Sequence, residues 1–169
     1  MLSFDNPFWK FSLAVYGAPE IAAECLNLQR RLEIDVNVLL FCAFMGSAQK
    51  VALNDKNLAA IKASVAAWHQ KVVRPLRAAR QAMKPLPQMS DDAVQALRQE
   101  IATIELRAEQ AEQAMLFELI PALTAAAVSA TAAHAVEHNI DALLRSHGAD
   151  AEAAGAQRLI TAASNYRPE

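Results

Sequence analysis

From Asp35 to Ala48 the chain reads DVNVLLFCAFMGSA, and between Val36 and Met45 only Asn37 is polar. A helix apolar all round has no face for water and is buried. The run is too short to cross a bilayer, so the pattern predicts a soluble bundle wrapped around a central helix over Val36 to Met45. Around it the apolar positions recur at helical spacing. Asn6 and Pro7 start a first helix and Gly17 suits a left-handed stop. Pro19 starts a second, to about Glu33, with Ile21, Cys25 and Leu28 on one face; Asp35 then caps the central helix. Asn54 or Asp55 caps a helix that runs through Trp68 to about Lys84, with Pro75 forcing a kink or short break and Pro85 and Pro87 ending it.

Ser90 to Asp92 caps the next helix, where Val94, Leu97, Ile101, Ile104, Ala108, Ala111 and Met115 alternate at three and four residues. That heptad seam predicts either an antiparallel hairpin with the preceding helix or a contact with a second copy. Pro121 interrupts or restarts a helix whose stripe is Ala125, Ser129, Ala132, Val136, Ile140 and Leu143, ending near Gly148. A last helix is expected from Asp150 to about Ser164, with Ala156, Leu159, Ile160 and Ala163 inward and the tail NYRPE frayed. No segment has strand period and no linker divides the chain. The expectation is all-α: one domain over residues 1–169, a bundle of about six helices.

Composition agrees, with 54% hydrophobic residues, 20% charged and only four glycines in 169 residues, a balance of helical proteins large enough for a real core. The few glycines (Gly17, Gly46, Gly148, Gly155) build neither a phosphate-cradling loop nor a dinucleotide turn, and there is no GxSxG elbow. Cys25 and Cys42 lack CxxC spacing and a nearby histidine, which predicts buried free thiols in a reducing compartment. The opening MLSFDNPFWK does not read as a signal peptide, so a cytoplasmic location is expected. Leu116 to Ala133 is broken by Glu118, Pro121, Thr124, Ser129 and Thr131, which argues against a membrane span.

Charge is asymmetric. Between Lys56 and Ser90 stand seven basic residues and no acid, whereas Asp91 to Glu118 holds seven acids against two arginines. Folding the two helices about Pro85 to Gln88 sets Arg77 near Glu100 and Lys71 near Glu105, so mutual neutralisation ranks ahead of an anion or RNA surface. Each exposed pair contributes only about 0.2–1 kcal/mol. A net charge of −2 and arginines without interleaved aromatics argue against nucleic acid, although Arg77, Arg80 and Lys84 on one face suit a phosphate group. Phe4, Phe8, Trp9, Phe11 and Tyr16 are five of ten aromatics, and a core plug ranks ahead of a partner-binding patch for them.

HAVEHNID places His134, Glu137, His138 and Asp141 on one helical face, a set able to bind a divalent transition metal. It matches the HxxEH pattern of one class of zinc peptidases, but only Glu152 and Glu169 remain downstream as a third ligand. Glu105, Glu109 and Glu112 form an acidic face, without the paired Glu-x-x-His motifs of a di-iron bundle. A solvated surface explains the histidine face more simply, and a satisfied core polar explains Asn37.

The segments NPFWKFSLAVYG from Asn6, CLNLQ from Cys25, DVNVLLFCAF from Asp35, VVRPLRAAR from Val72 and ELRAEQAEQ from Glu105 carry a resemblance. Over roughly Asn6 to Met115 the chain resembles an uncharacterised family of short proteobacterial proteins with an NPFW…FSL…VY start and a DVN…LLF helix. The resemblance implies no activity, cofactor or catalytic residue. The expected function is therefore non-enzymatic binding without a cofactor, as an adaptor for a protein partner or by self-association. Contact candidates are Phe8, Trp9, Phe11, Tyr16, Lys71, Arg74, Arg77, Arg80 and Lys84. The alternative is a metal-binding bundle or enzyme using His134, Glu137, His138 and Asp141, with His69 or Glu109 contributing. The third is a small apolar or anionic ligand, or RNA, held at the basic helix, in a pocket lined by Phe41, Phe44 and Trp68 with Arg74 or Arg77 at its mouth.

Overall fold

The structure is a computed structural model that describes residues 1–125 and 130–167. Its elements are α1 (Pro7–Tyr16), α2 (Pro19–Leu32), α3 (Val36–Ser47), α4 (Asp55–Trp68), a π-helical turn (His69–Val73), α5 (Arg74–Met83), a 3₁₀ turn (Pro87–Ser90), α6 (Asp92–Phe117), α7 (Ile120–Thr124), α8 (Ala132–Arg145), α9 (Ala151–Ala154) and α10 (Gln157–Asn165). The fold is all-α, and no described helix is long and apolar enough to cross a membrane. Ser129, on the stripe expected after Pro121, lies outside the described residues.

α3 is the axis. Every residue from Asn37 to Gly46 is buried, and α8, α10, α1, α6 and α2 all pack on it. The largest of these contacts is with α8, which lays Val136, Ile140, Leu143 and Leu144 against it. Gly46 makes that approach possible, because a Cβ there would lie 2.6 Å from the Val136 Cα. Asn139 of α8, itself fully buried, then ties down the chain leaving α3: its Nδ2 donates to the carbonyls of Cys42 (3.1 Å) and Val51 (2.8 Å), and its Oδ1 accepts from the Leu53 amide (2.7 Å). Phe8 and Phe11 of α1 close one end of α3, edge-on or tilted to Phe41 and Phe44 with ring centroids 5.1–5.4 Å apart. Tyr166, in the segment expected to fray, packs edge-on against Phe11 at 4.9 Å.

Several boundaries differ from the sequence expectation. Gly17 is right-handed (φ −65°), its amide returning to Leu13 O, and Pro19 rather than a left-handed glycine separates α1 from α2. The helix expected from Asp150 is two, because Gly155 at φ +78° ends α9. Pro75 produces a π turn instead of a sharp kink. Proline has no amide to donate, and the Arg74 amide bonds to His69 O, five residues back. The wider turn lets one long element keep a face on α6 along its whole length, with Trp68 Nε1 donating to Ala108 O at 2.9 Å.

The α5–α6 hairpin forms in a different register from the one that charge alone predicts. Arg77 meets Glu105 (3.1 Å) and Glu109 rather than Glu100, and Arg80 also meets Glu105. Lys71 is exposed and away from Glu105. The reason is the connection, which continues through the 3₁₀ turn and closes only at Asp91, the cap of α6. The seam is half used: Ala108 and Ala111 are buried, whereas Leu97 and Ile104 are 51% and 54% exposed.

Gly46→Ala drives a methyl into α8 backbone that has no rotamer to relieve it, and should cost about 3 kcal/mol, at the upper end for overpacking. Chemical denaturation reads this directly, and a cost near zero would show that α3 and α8 separate freely. Burial alone would raise the Glu105 pKa, but Arg80 and Arg77 hold it below the ordinary carboxylate value. A depressed carboxyl contributes stability above its unfolded pKa that is lost as pH falls through the folded one. Burial shifts neighbouring Glu109 the other way, so the informative quantity is the difference between wild type and Glu105→Gln. The variant should be less stable by about 1–3 kcal/mol near neutral pH, and the gap should close below about pH 4. A gap that persists in acid would exclude the ion pairs as its source.

Candidate functional site

The polar residues that α3 carries inward organise one buried network. Asp35 caps α3, its Oδ1 accepting from the Asn37 amide at 2.8 Å, while its Oδ2 lies 3.0 Å from His69 Nδ1. Glu112 of α6, fully buried, brings Oε1 to 3.1 Å from the same nitrogen and takes the Asn37 side-chain amide on Oε2 at 2.7 Å. Gln113 Nε2 donates to Asn37 Oδ1 at 2.8 Å. The α2 C-cap Glu33 is left-handed (φ 52°), which turns the chain so that Asp35 arrives beside the π turn.

Burial alone would lower the pKa of His69, yet the hydrogen bonds and charges of Asp35 and Glu112 outweigh it and raise it to about 9, so the imidazole is cationic at neutral pH. Burial pushes Glu112 upward, opposed by its bonds from His69 and Asn37. Among the described residues Asp35, His69 and Glu112 are the group of three ligand-bearing side chains whose donor atoms lie close enough to share a metal ion.

Two cavities flank this network, and Asp35, Gln29 and Arg77 line both. The larger is an open groove of about 510 Å³ with Arg30, Lys62, His69 and Arg74 against Glu33 and Asp35. The smaller, about 180 Å³, lies between α1, α2, α3 and α6. Leu13, Leu26 and Leu106 form its rim and are 56%, 42% and 51% exposed. Trp9, Tyr16, Val36, Leu40, Arg77 and Glu109 line it further. Ser12 and Gln113 also line it, and Ser12 Oγ and Gln113 Oε1 are buried polar atoms without a hydrogen-bond partner among the described residues. Burial raises the pKa of Tyr16, so its phenol stays protonated.

The structure sorts the residues singled out from sequence. Trp9, Tyr16 and Arg77 come together at the small pocket, and Arg74 joins Arg77 in the groove. Phe8 and Phe11 are fully buried and offer a partner no surface. Arg80 is taken by Glu105, while Lys71 and Lys84 are exposed and line neither cavity. Phe41 and Phe44 are buried and, like Trp68, line neither of these two cavities.

His134, Glu137 and His138 are exposed, with the two imidazoles 6.3 Å apart. His138 Nε2 bonds to Leu53 O at 2.9 Å; Asp141 takes the Ala151 amide at 3.0 Å and Arg145 Nε at 2.7 Å. Among the described residues this face does not bring three ligand atoms within 4.8 Å of one another. Cys25 and Cys42 are free and buried, and burial pushes both thiols up to about 12, which keeps them protonated. Sequence reasoning passed over Asp35 as a cap, and it missed Ser12 and Gln113. The signal available was polar residues at positions that the apolar pattern assigns to the core.

No curated protein and no solved structure matches the chain. A family model described as a protein of unknown function, DUF2390, matches residues 7–116, which hold Trp9, Ser12, Asp35, Asn37, His69, Arg77, Glu112 and Gln113 and leave out α7 to α10. The match spans well over half of the chain and every residue of the buried network, and the chain belongs to the DUF2390 family.

Proposed function

We propose that this protein is a binding protein whose ligand is a small amphipathic molecule seated in the leucine-rimmed pocket. The observation that carries the reading is one pocket uniting three half-exposed leucines at its rim with two partnerless polar atoms on its lining residues. Exposed apolar surface around a concavity with a few convergent polar groups is the usual form of a small-molecule site. A cavity of about 150 Å³ accepts benzene, so this one fits a single ring or a short branched alkyl body. Gln113 Oε1 can only accept, and Ser12 Oγ can donate or accept, so the ligand brings at least one O–H or N–H. Arg77 and Glu109 already pair beside the pocket, which favours a neutral head, such as a phenol, alcohol or primary amide, over an ion.

Phenol, benzyl alcohol and benzamide titrated into labelled protein should give saturable NMR shifts at the Trp9 indole and at the Leu13, Leu26 and Leu106 methyls. Toluene, with no donor, should bind about tenfold more weakly, as the loss of one hydrogen bond implies. Leu106→Arg, on the exposed rim, should abolish the shifts and leave the denaturation midpoint near wild type. Absence of saturable shifts for all four compounds overturns the reading.

A second reading, self-association, is favoured by the half-exposed Leu97 and Ile104 on the seam of α6. It expects a concentration-dependent dimer by light scattering that Ile104→Asp converts to a monomer with unchanged helicity. A wild-type protein that stays monomeric at high concentration excludes it.

A further inference from the structure

The buried network has a second use that ligand binding in the small pocket does not absorb. We infer that Asp35 Oδ2, His69 Nδ1 and Glu112 Oε1 form a site for one divalent transition-metal ion, reached through the larger groove. The carrying observation is geometric. Both carboxylate oxygens approach the same ring nitrogen, at 3.0 and 3.1 Å, and the three atoms lie within 4.8 Å of one another. Metal–ligand bonds of about 2.0–2.2 Å place neighbouring ligands of an octahedral ion roughly 2.8–3.1 Å apart.

The support behind these ligands is independent of their spacing. One residue, Asn37, holds the far oxygen of both carboxylates, through its backbone amide to Asp35 Oδ1 at 2.8 Å and its side-chain amide to Glu112 Oε2 at 2.7 Å. Gln113 in turn fixes Asn37. The effect is to leave Oδ2 and Oε1 facing a common point, the kind of outer-shell orientation that metal sites use. Asp35 and His69 line the groove of about 510 Å³, so an ion has an entry path and water can fill its remaining positions.

One imidazole with two carboxylates suits Mn²⁺, Fe²⁺ or Zn²⁺ rather than a soft ion such as Cu⁺. Proton and ion compete for the same Nδ1 lone pair: binding sends the Nδ1 proton to solvent and leaves His69 neutral as a ligand. The three side chains then go from a formal net charge of minus one to neutrality with the ion.

The test is calorimetric titration of chelator-stripped protein with Mn²⁺ and with Zn²⁺, with the Mn²⁺ resonance spectrum as a second readout. One ion per chain is expected, with selective broadening of the His69 ring signals by Mn²⁺. Asp35→Asn keeps a side chain that caps α3, and His69→Gln keeps a polar group in place. Each should weaken binding at least tenfold, while circular dichroism confirms that the fold persists. The His134→Ala/His138→Ala double variant and Leu106→Arg should bind as wild type, the latter separating this site from the leucine-rimmed pocket. No binding at one equivalent, undiminished binding in both Asp35→Asn and His69→Gln, or loss in the histidine double variant would each overturn the assignment.

Discussion

A polar side chain enters the core at Asn37, in the first turn of a helix with no wet face, and the rest of the network answers to it. A buried amide must be bonded on both sides, and the partners available are Glu112 and Gln113 of α6. Bringing a carboxylate to a fully buried position is costly unless it is paired and hydrogen-bonded. Glu112 therefore requires the cation of His69, and His69 in turn meets Asp35, the residue that starts α3. The loop of bonds closes on itself through α3, the π turn and α6. It joins the long basic element to α6 at the π turn, beside the pairs that Arg77 and Arg80 make with Glu105 and Glu109 further along.

The opposite side of α3 is set by close approach rather than by charge. Gly46 admits the α8 backbone, and Asn139 spends all three of its bonds on the chain that leaves α3. With α8 locked there and the phenylalanines of α1 closing one end, α3 is enclosed on its apolar side. Two cavities open where packing meets the polar network, between α1, α2 and α6 and along the π turn. Asp35 and Arg77 belong to the walls of both, so the small pocket and the groove are two sides of one set of side chains.

The fold was legible in the sequence because burial is periodic. The unbroken apolar run of α3, the stripe Val136, Ile140, Leu143 and the proline and asparagine starts each reflect a local rule that the tertiary structure obeyed. Cys25 and Cys42 were legible as buried thiols for the same reason. The π turn was half legible: Pro75 announced a lost amide, but whether the helix breaks, kinks or widens depends on the helix it must follow. The hairpin register failed because like-spaced charges allow several pairings, and the choice was made by the length of the connection ending at Asp91.

The candidate site was legible only as separate residues. Trp9, Tyr16, Arg77, Asn37, His69 and Glu112 each stood out or could be explained alone, and none of the chemistry lies in a contiguous motif. The sequence by itself determined that α3 is buried, that amphipathic helices surround it and that its few polar residues must find partners, since these follow from the cost of burying or exposing each side chain. Which partners they find was decided by tertiary structure. Nothing in the spacing of Asp35, His69 and Glu112 along the chain places them on one imidazole; three helices crossing at fixed angles do.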